Sequence, residues 1–502
     1  MPIIQGTAND DLLIGTPEFD QIYGLGGNDI IYGGGGGDGL RGGQGDDTYT
    51  IQHPDDFVVE ARDEGQDIVY VSFSYVMHNF LDLDYIEILS TIQHNDTTAI
   101  DLRVTGDHTR TIMGNYGNNV LSGLLSGNYI GFLGDDTYDV TTTSSAIFMG
   151  QIIENQGEGN DTVRVDGSYP YTLNAGASVE TIIALHVDAT IPLQLIGNEL
   201  TQTIIGNKGG NSLDGGTGGN DIMIGGDGRD SYHVRHIGQQ VIETATGGDD
   251  DRIIAYFDFD LRTVANIEHL SAAAGTAPIR LTGNEFTNFL SGNDGKNILD
   301  GGQGAPDRMY GEGGDDIFVV HNADDFVWEY LVQGSDLVYA YVTFALSAGS
   351  RVEALSTVTH AATDAIDLIG NEFAQTLAGN FGANLLDGKG GNDLLAGLAG
   401  ADTFAFTSAL GAGNVDTLFD FSAADDTIAL DDAVFTGLTP GALPMGAFVT
   451  GAVAQDLDDR IIYNQATGQL FFDADGSGAG AAVHFATLQG APVITAADFM
   501  VI

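Results

Sequence analysis

Asp11, Asp20, Asp29, Asp38 and Asp47 follow one another at intervals of nine residues, and they are the first residues in this chain whose type and spacing could do chemistry. A carboxylate offers only oxygen acceptors, so a row of them can hold hard cations or act as acids and bases. Thiolate chemistry is excluded because the chain has no Cys. The sequence also contains no H-E-x-x-H, G-x-S-x-G or G-x-x-x-x-G-K-[ST], and its 11 His are dispersed, so zinc protease, α/β-hydrolase and P-loop chemistry lack their residues.

The aspartates sit in a repeating frame. Cutting every nine residues from Gly6 gives "GTANDDLLI", "GTPEFDQIY", "GLGGNDIIY", "GGGGGDGLR" and "GGQGDDTYT", with Asp always sixth and Leu13, Ile22, Ile31, Leu40 and Tyr49 eighth. Six Gly-rich residues can turn through positive φ without a Cβ clash, and three residues centred on an apolar side chain can form a short strand. Two nonads then close one coil of a flattened spiral. Residues eighteen apart stack at about one strand spacing, ~4.8 Å, placing Asp11, Asp29 and Asp47 on one edge and Asp20 and Asp38 on the other.

Carboxylates stacked at that distance repel by roughly 3 kcal/mol per pair at an effective dielectric near ~20. A divalent ion between turns reverses the sign. Carboxylates and turn carbonyls supply the six to eight oxygens that Ca2+ takes, whereas Mg2+ keeps its waters and needs a smaller octahedron. Multiple Ca2+ ions are therefore expected, between Asp11 and Asp29, Asp29 and Asp47, and Asp20 and Asp38. On this count Asp29 serves two sites and Asp38 one.

The same signature returns along the chain. "GDDTY" around Asp47 recurs around Asp136, as "GRDSY" around Asp230, "GDDIF" around Asp316 and "GADTF" around Asp402, a period of 86 to 94 residues. Each block is a module of an array, with boundaries expected at 1–50, 51–139, 140–233, 234–319, 320–405 and 406–502. Later blocks begin with nonads carrying Asn or Gln sixth, such as "GNELTQTII", "GNKGGNSLD" and "GNFGANLLD", read as structural amide rungs. Mixed pairs follow: Asn211 with Asp230, Asn297 with Asp316, and Asn384 with Asp402. Asp221 and Asp307 lie beside one-residue insertions, and Asp393 is sixth in "GKGGNDLLA". The candidate metal ligands are thus Asp11, Asp20, Asp29, Asp38, Asp47, Asp136, Asp221, Asp230, Asp307, Asp316, Asp393 and Asp402. No catalytic residue is assigned.

Between the blocks lie segments such as "DDFVVEARDEGQDIVYVSFSYVMHNFLDLDYIEILS". Their β-branched and aromatic alternation predicts strands in wider coils of the same solenoid. Each has an apolar triplet ending in Glu60, Glu154, Glu243 or Glu329, a Gly-x-Asp turn, and a second acid, Glu87, Glu180, Glu268 or Glu353. These glutamates are read as turn or capping acceptors at coil corners.

With 71 Asp plus Glu against 16 Lys plus Arg, the formal net charge is −55, which repels nucleic acid and makes cations the expected partners. Hydrophobic residues at 43% leave enough apolar surface for a core, so 72 Gly serve folded turns rather than a disordered linker. No apolar run reaches the length of a membrane span, and "MPIIQGTANDDLLIG" lacks the features of a Sec signal.

The units resemble the Gly-Gly-x-Gly-x-Asp-x-apolar-x nonapeptides of RTX (repeats-in-toxin, haemolysin-type) calcium-binding proteins. The match is close at 24–50 and looser at 6–23, where Asn9 and Glu18 replace the fourth-position Gly. The resemblance implies an all-β fold, a parallel β-roll or β-solenoid array of Gly-Asp nonapeptides. The last hundred residues are similar to the region that follows such repeats in type I-secreted proteins, and imply a small C-terminal β cap. The terminus "TAADFMVI" is similar to type I secretion signals, which implies the type I machinery as a partner and a secreted, extracellular or cell-surface location. Asp473, Asp475 and Gly476 look like half an EF-hand loop without its Glu, and are read as a tight turn.

RTX enzymes carry a separate catalytic domain, whereas here the repeats start at Gly6. The expectation is a non-enzymatic structural protein that self-associates on extracellular calcium into a surface layer, filament or matrix. Two alternatives stay open: a carbohydrate-active lyase or epimerase, and a sugar-binding adhesin with surface polysaccharide as its partner.

Overall fold

Each glycine turn in the first block delivers the chain into a short strand, and strands eighteen residues apart pair in parallel. Ile3–Gln5, Gln21–Gly26, Gly39–Gln44 and Phe57–Val58 form one sheet, and Leu12–Ile14, Ile30–Tyr32 and Thr48–Thr50 begin another. The computed structural model describes residues 2–78, 85–105, 109–123, 126–142, 150–245, 247–248, 250–330 and 334–502. It divides into two units, residues 1–253 and 254–502, each a parallel β-solenoid.

In the first unit the wider coils join the sheets the nonads began. Ile68–Val71, Ile88–Thr91, Thr111–Met113, Asn128–Ile130 and Gln151–Ile153 extend the sheet that starts at Leu12–Ile14. Register keeps Leu13, Ile31, Tyr49, Val69, Leu89, Ile112, Tyr129 and Ile152 in one column. All eight are buried. Burying such a side chain contributes about 1.5–3 kcal/mol relative to exposure, so the eighth position of the repeat is the core. Extra residues of the wider coils go into turns, because the strand register is fixed by that column. Parts of the wider coils, residues 79–84 and 331–333 among them, lie outside the described residues.

The second unit repeats the arrangement, with Leu281, Leu299, Phe318, Val338, Leu355, Leu377 and Leu395 in register. Parallel winding ends in the C-terminal region. There Val483–Leu488, Gln469–Phe472 and Ile461–Asn464 form an antiparallel meander, and Gly441–Ala442 pairs antiparallel with Phe499–Val501. This is the expected β cap region. Among the described residues, only three short 3-10 turns break the all-β pattern, and no helix is long and apolar enough to cross a membrane. Asp473 and Asp475 share a turn, where the Asp475 N–H donates to Oδ1 of Asp473 (3.2 Å) and the Gly480 N–H to Oδ2 of Asp475 (3.0 Å).

Candidate metal sites

Eleven of the twelve predicted ligands are buried and Asp11 is half-buried. Stacking makes each a rung. The N–H of Asp11 donates to Oδ1 of Asp29 (2.8 Å), that of Asp29 to Asp47 (2.7 Å), and that of Asp47 to Asp67 (2.8 Å). On the other edge Asp20 donates to Asp38 and Asp38 to Asp56, both at 2.7 Å. The mixed pairs behave alike: the N–H groups of Asn211, Asn297 and Asn384 donate to Oδ1 of Asp230, Asp316 and Asp402.

These columns run further than the nonads. Asp136 donates to Asp161, Asp230 to Asp251, Asp307 to Asp325, Asp316 to Asp336, Asp393 to Asp416 and Asp402 to Asp426. The continuing acids were not among the predicted ligands. For Asp56 a signal existed, since it stands eighteen residues after Asp38; the Gly frame is gone there but the register survives. Asp38 thus has a stacked acid on both sides, Asp20 and Asp56, where the nonad count placed only Asp20 beside it. The second acids of the wider coils end such columns as turn acceptors, Glu87 from Asp67 and Glu180 from Asp161.

Two kinds of turn precede these rungs, and the second residue of the nonad separates them. In the closed kind its N–H donates to the sixth side chain: Thr7 to Asp11 and Thr16 to Asp20 (both 2.6 Å), Asn115 to Asn119 and Asn380 to Asn384 (both 2.8 Å). In the open kind the second residue has positive φ, as in Leu25 (86°), Phe132 (76°), Glu312 (74°), Lys389 (65°), Leu398 (74°) and Gly43 (98°). Its N–H makes no such bond to the sixth side chain. Among the described residues every open turn carries Asp, sixth at Asp29, Asp38, Asp47, Asp136, Asp230, Asp316, Asp393 and Asp402 and seventh, after a one-residue insertion, at Asp221 and Asp307.

The consequence is a set of buried carboxylate oxygens that accept no hydrogen bond. Oδ2 of Asp29, Asp38, Asp47, Asp136, Asp230, Asp307, Asp316 and Asp393 are of this kind. They point back at the first glycine of their own nonad; a Cβ on Gly24 or Gly42 would collide with Oδ2 of Asp29 or Asp47. Such an oxygen costs roughly 1–3 kcal/mol unless something compensates it. A hard cation seated among these oxygens and the turn carbonyls does so, and the donor set fits Ca2+. At Asp221 the oxygen is already taken, by the Gln239 amide at 2.7 Å. Asp20 keeps Oδ1 without a partner because Pro2, eighteen residues earlier, has no N–H.

Electrostatics follow from the burial and crowding of these carboxyls. Burial first, then neighbouring carboxylates, pushes Asp47 up to about 6, Asp136, Asp230 and Asp316 to about 7, and Asp307 to about 8. Asp29 and Asp38 are raised for the same reasons. The glutamates are raised as well, Glu60 to about 8 and Glu154 to about 9, by burial above all.

A parallel β-solenoid with stacked, buried, incompletely bonded turn carboxylates is a cation-binding β-roll. The RTX calcium-binding nonapeptide repeat family, in its four-copy form, matches residues 5–40, 14–49, 196–232, 280–306, 305–327 and 369–404, so the chain carries RTX calcium-binding repeats along its length. The block ending at Asp136 lies outside the matched residues yet has the same open turn. No curated protein matches the chain as a relative.

Proposed function

We propose that this is a secreted, non-enzymatic structural protein that folds and assembles on extracellular calcium into a surface layer, filament or matrix. The carrying observation is the row of buried aspartate oxygens without hydrogen bonds in the open turns. Asp29, Asp38, Asp47, Asp136, Asp230, Asp307, Asp316, Asp393 and Asp402 are the proposed ligands, with turn carbonyls. Low calcium leaves the −55 charge unscreened and the chain unfolded, a state suited to threading through a type I exporter, the usual route of RTX repeat proteins.

Assembly is supported by the outermost strands of two sheets. Ile3–Gln5 and Leu12–Ile14 each have a neighbour on one side only, and Ile3, Leu12 and Ile14 are exposed. Unpaired strand edges with apolar side chains recruit further strands. Head-to-tail contact of this type propagates rather than closes. Electron microscopy and sedimentation of the protein with and without millimolar calcium test the reading. Ordered assemblies only with calcium are expected; a monomer at high concentration in calcium overturns it.

A second reading, a saccharide-binding adhesin, has one observation in its favour. An outer row in the second unit stacks His269 on Phe289 (4.9 Å) and Phe326 on Trp328 (5.7 Å), with Arg308 over Phe289 (5.2 Å). Aromatic faces of this sort suit sugar rings.

A further inference from the structure

Three junctions between a nonad block and the wider coil after it share one construction. One carboxylate oxygen from each of Asp136, Glu154 and Asp161 lies within 4.8 Å of the other two, and the same holds for Asp230, Glu243 and Asp251, and for Asp316, Glu329 and Asp336. All nine residues are buried. Only the first of each trio belongs to a nonapeptide; the Glu ends an apolar triplet of the wider coil and the last Asp lies seven or eight residues beyond it.

The hydrogen bonds show how the first trio is held and what is left over. In the first, Oδ1 of Asp136 accepts the Asn119 N–H (2.6 Å), Oδ1 of Asp161 accepts the Asp136 N–H (2.8 Å), and Oε1 of Glu154 accepts the Tyr138 hydroxyl. One oxygen of each carboxylate is thereby anchored. The others, Oδ2 of Asp136, Oε2 of Glu154 and Oδ2 of Asp161, have no partner, although the residues are 1%, 3% and 1% exposed. A Cβ on Gly131 would run into Asp136, Tyr138 and Glu154 at once, so the glycine leaves the space into which these groups point.

The third junction separates two explanations of the glutamate. At the first two, Tyr138 and Tyr232 donate to Glu154 and Glu243, which a protonated, purely structural acid would also allow. At the third the corresponding residue is Phe318, which has no hydroxyl, yet Glu329 is still buried and its Oε1 has no partner. Glu329 also crowds Gly311, as Glu154 crowds Gly131. The glutamate is kept without the tyrosine, so the tyrosine is not the reason for it.

We infer that each trio is a cation site of its own, in which the wider coil supplies two carboxylates to a hard divalent ion at the end of a nonad block. Three buried carboxylates of one sign fit Ca2+, which takes oxygen ligands at flexible geometry; at the second junction Glu243 accepts through both oxygens, from the Tyr232 hydroxyl and the Thr244 N–H, and an ion there shares an oxygen with one of those donors. The ion ties the last nonapeptide turn to the coil that follows, and it accounts for the recurrence of Glu154, Glu243 and Glu329 outside the nonapeptides.

The test rests on the calcium-binding reading and separates from it. Full-length protein and Glu329→Gln are saturated with calcium, desalted, and their bound ions counted by atomic emission, with circular dichroism confirming the β fold. One ion fewer in Glu329→Gln is expected, and one fewer in Glu154→Gln and in Glu243→Gln measured separately. An unchanged count in any folded variant overturns the assignment at that junction and leaves the glutamate as a structural acid. A parent protein that binds no calcium removes the calcium-binding reading itself. Where a glutamine variant does not fold, Gly311→Ala or Gly131→Ala, which keeps every carboxylate and fills the space, should lose the same single ion; a folded glycine variant with the full count also overturns the site.

Discussion

The backbone N–H of Asp29 donates to Oδ1 of Asp47 at 2.7 Å, so one oxygen of Asp47 fastens the coil before it while its other oxygen, like Oδ2 of Asp29, stays unbonded. Fastening needs only an acceptor, which Asn supplies; holding an ion needs charge. Asp29→Asn should therefore keep the fold in calcium but lower the number of bound ions, whereas Asp29→Ala also removes the acceptor of the half-buried Asp11 N–H, costing about 0.5–1.5 kcal/mol. Asp20→Asn is the control, since its Oδ2 is occupied by the N–H and hydroxyl of Thr16. Isothermal titration that finds equal losses at Asp20 and Asp29 would remove the distinction between open and closed turns.

Leu25 offers a test of the open turn that leaves the ligands untouched. It sits at φ 86° with a half-exposed side chain. A non-glycine residue there costs about 1–2 kcal/mol in left-handed strain, partly offset because glycine has more freedom to lose on folding. Leu25→Gly should thus stabilise the calcium-loaded form by up to about 1 kcal/mol, read as a higher denaturation midpoint. A lower midpoint would mean that Leu25 contributes through packing.

The winding was legible because its determinants are local: Gly at the turn, an apolar residue eighth, and an eighteen-residue stack. What the sequence hid was set by neighbours in space. Asp161 and Asp251 reach their columns across 25 and 21 residues rather than eighteen, because the wider coils place extra residues in turns while the strands stay in register. The closed turns were hidden for another reason. Thr7 and Thr16 occupy the same frame as Leu25, and only the backbone conformation shows that their N–H groups already satisfy Asp11 and Asp20.

Asp221 shows how little separates an amide-filled turn from an ionic one. Nε2 of Gln239 reaches Oδ2 of Asp221 at 2.7 Å, while its Oε1 accepts the N–H groups of Arg235 (2.7 Å) and His236 (3.1 Å). Gln239→Glu keeps those two acceptors and sets a second carboxylate against Asp221. The variant should bind one more calcium ion than the parent and be less stable than it when calcium is removed. An unchanged stoichiometry would mean that the turn carbonyls near Asp221 do not complete a coordination shell.

Protons and calcium should compete for the same oxygens, and the direction follows from the raised pKa values. Asp136 and Asp230 stand at about 7, Glu60 at about 8 and Glu154 at about 9 in the ion-free fold, against 3.8 and 4.5 for ordinary Asp and Glu. A carboxyl whose pKa is higher folded than unfolded binds protons more tightly in the fold. Its contribution to stability is fully present below the unfolded value, near pH 4, and is lost as pH rises through 7 to 9. Calcium-stripped protein should therefore show more β signal at pH 5 than at pH 8, and lowering the pH should partly replace the ion. Calcium must displace those protons, so binding at pH 7 should release them, and the apparent affinity should fall as the solution is acidified. Calorimetry in two buffers of different ionisation enthalpy measures the release, and circular dichroism on stripped protein measures the fold. No proton release together with a β signal that is flat from pH 5 to 8 would show that these carboxyls are ionised in the fold without calcium, and that another group carries the compensating charge.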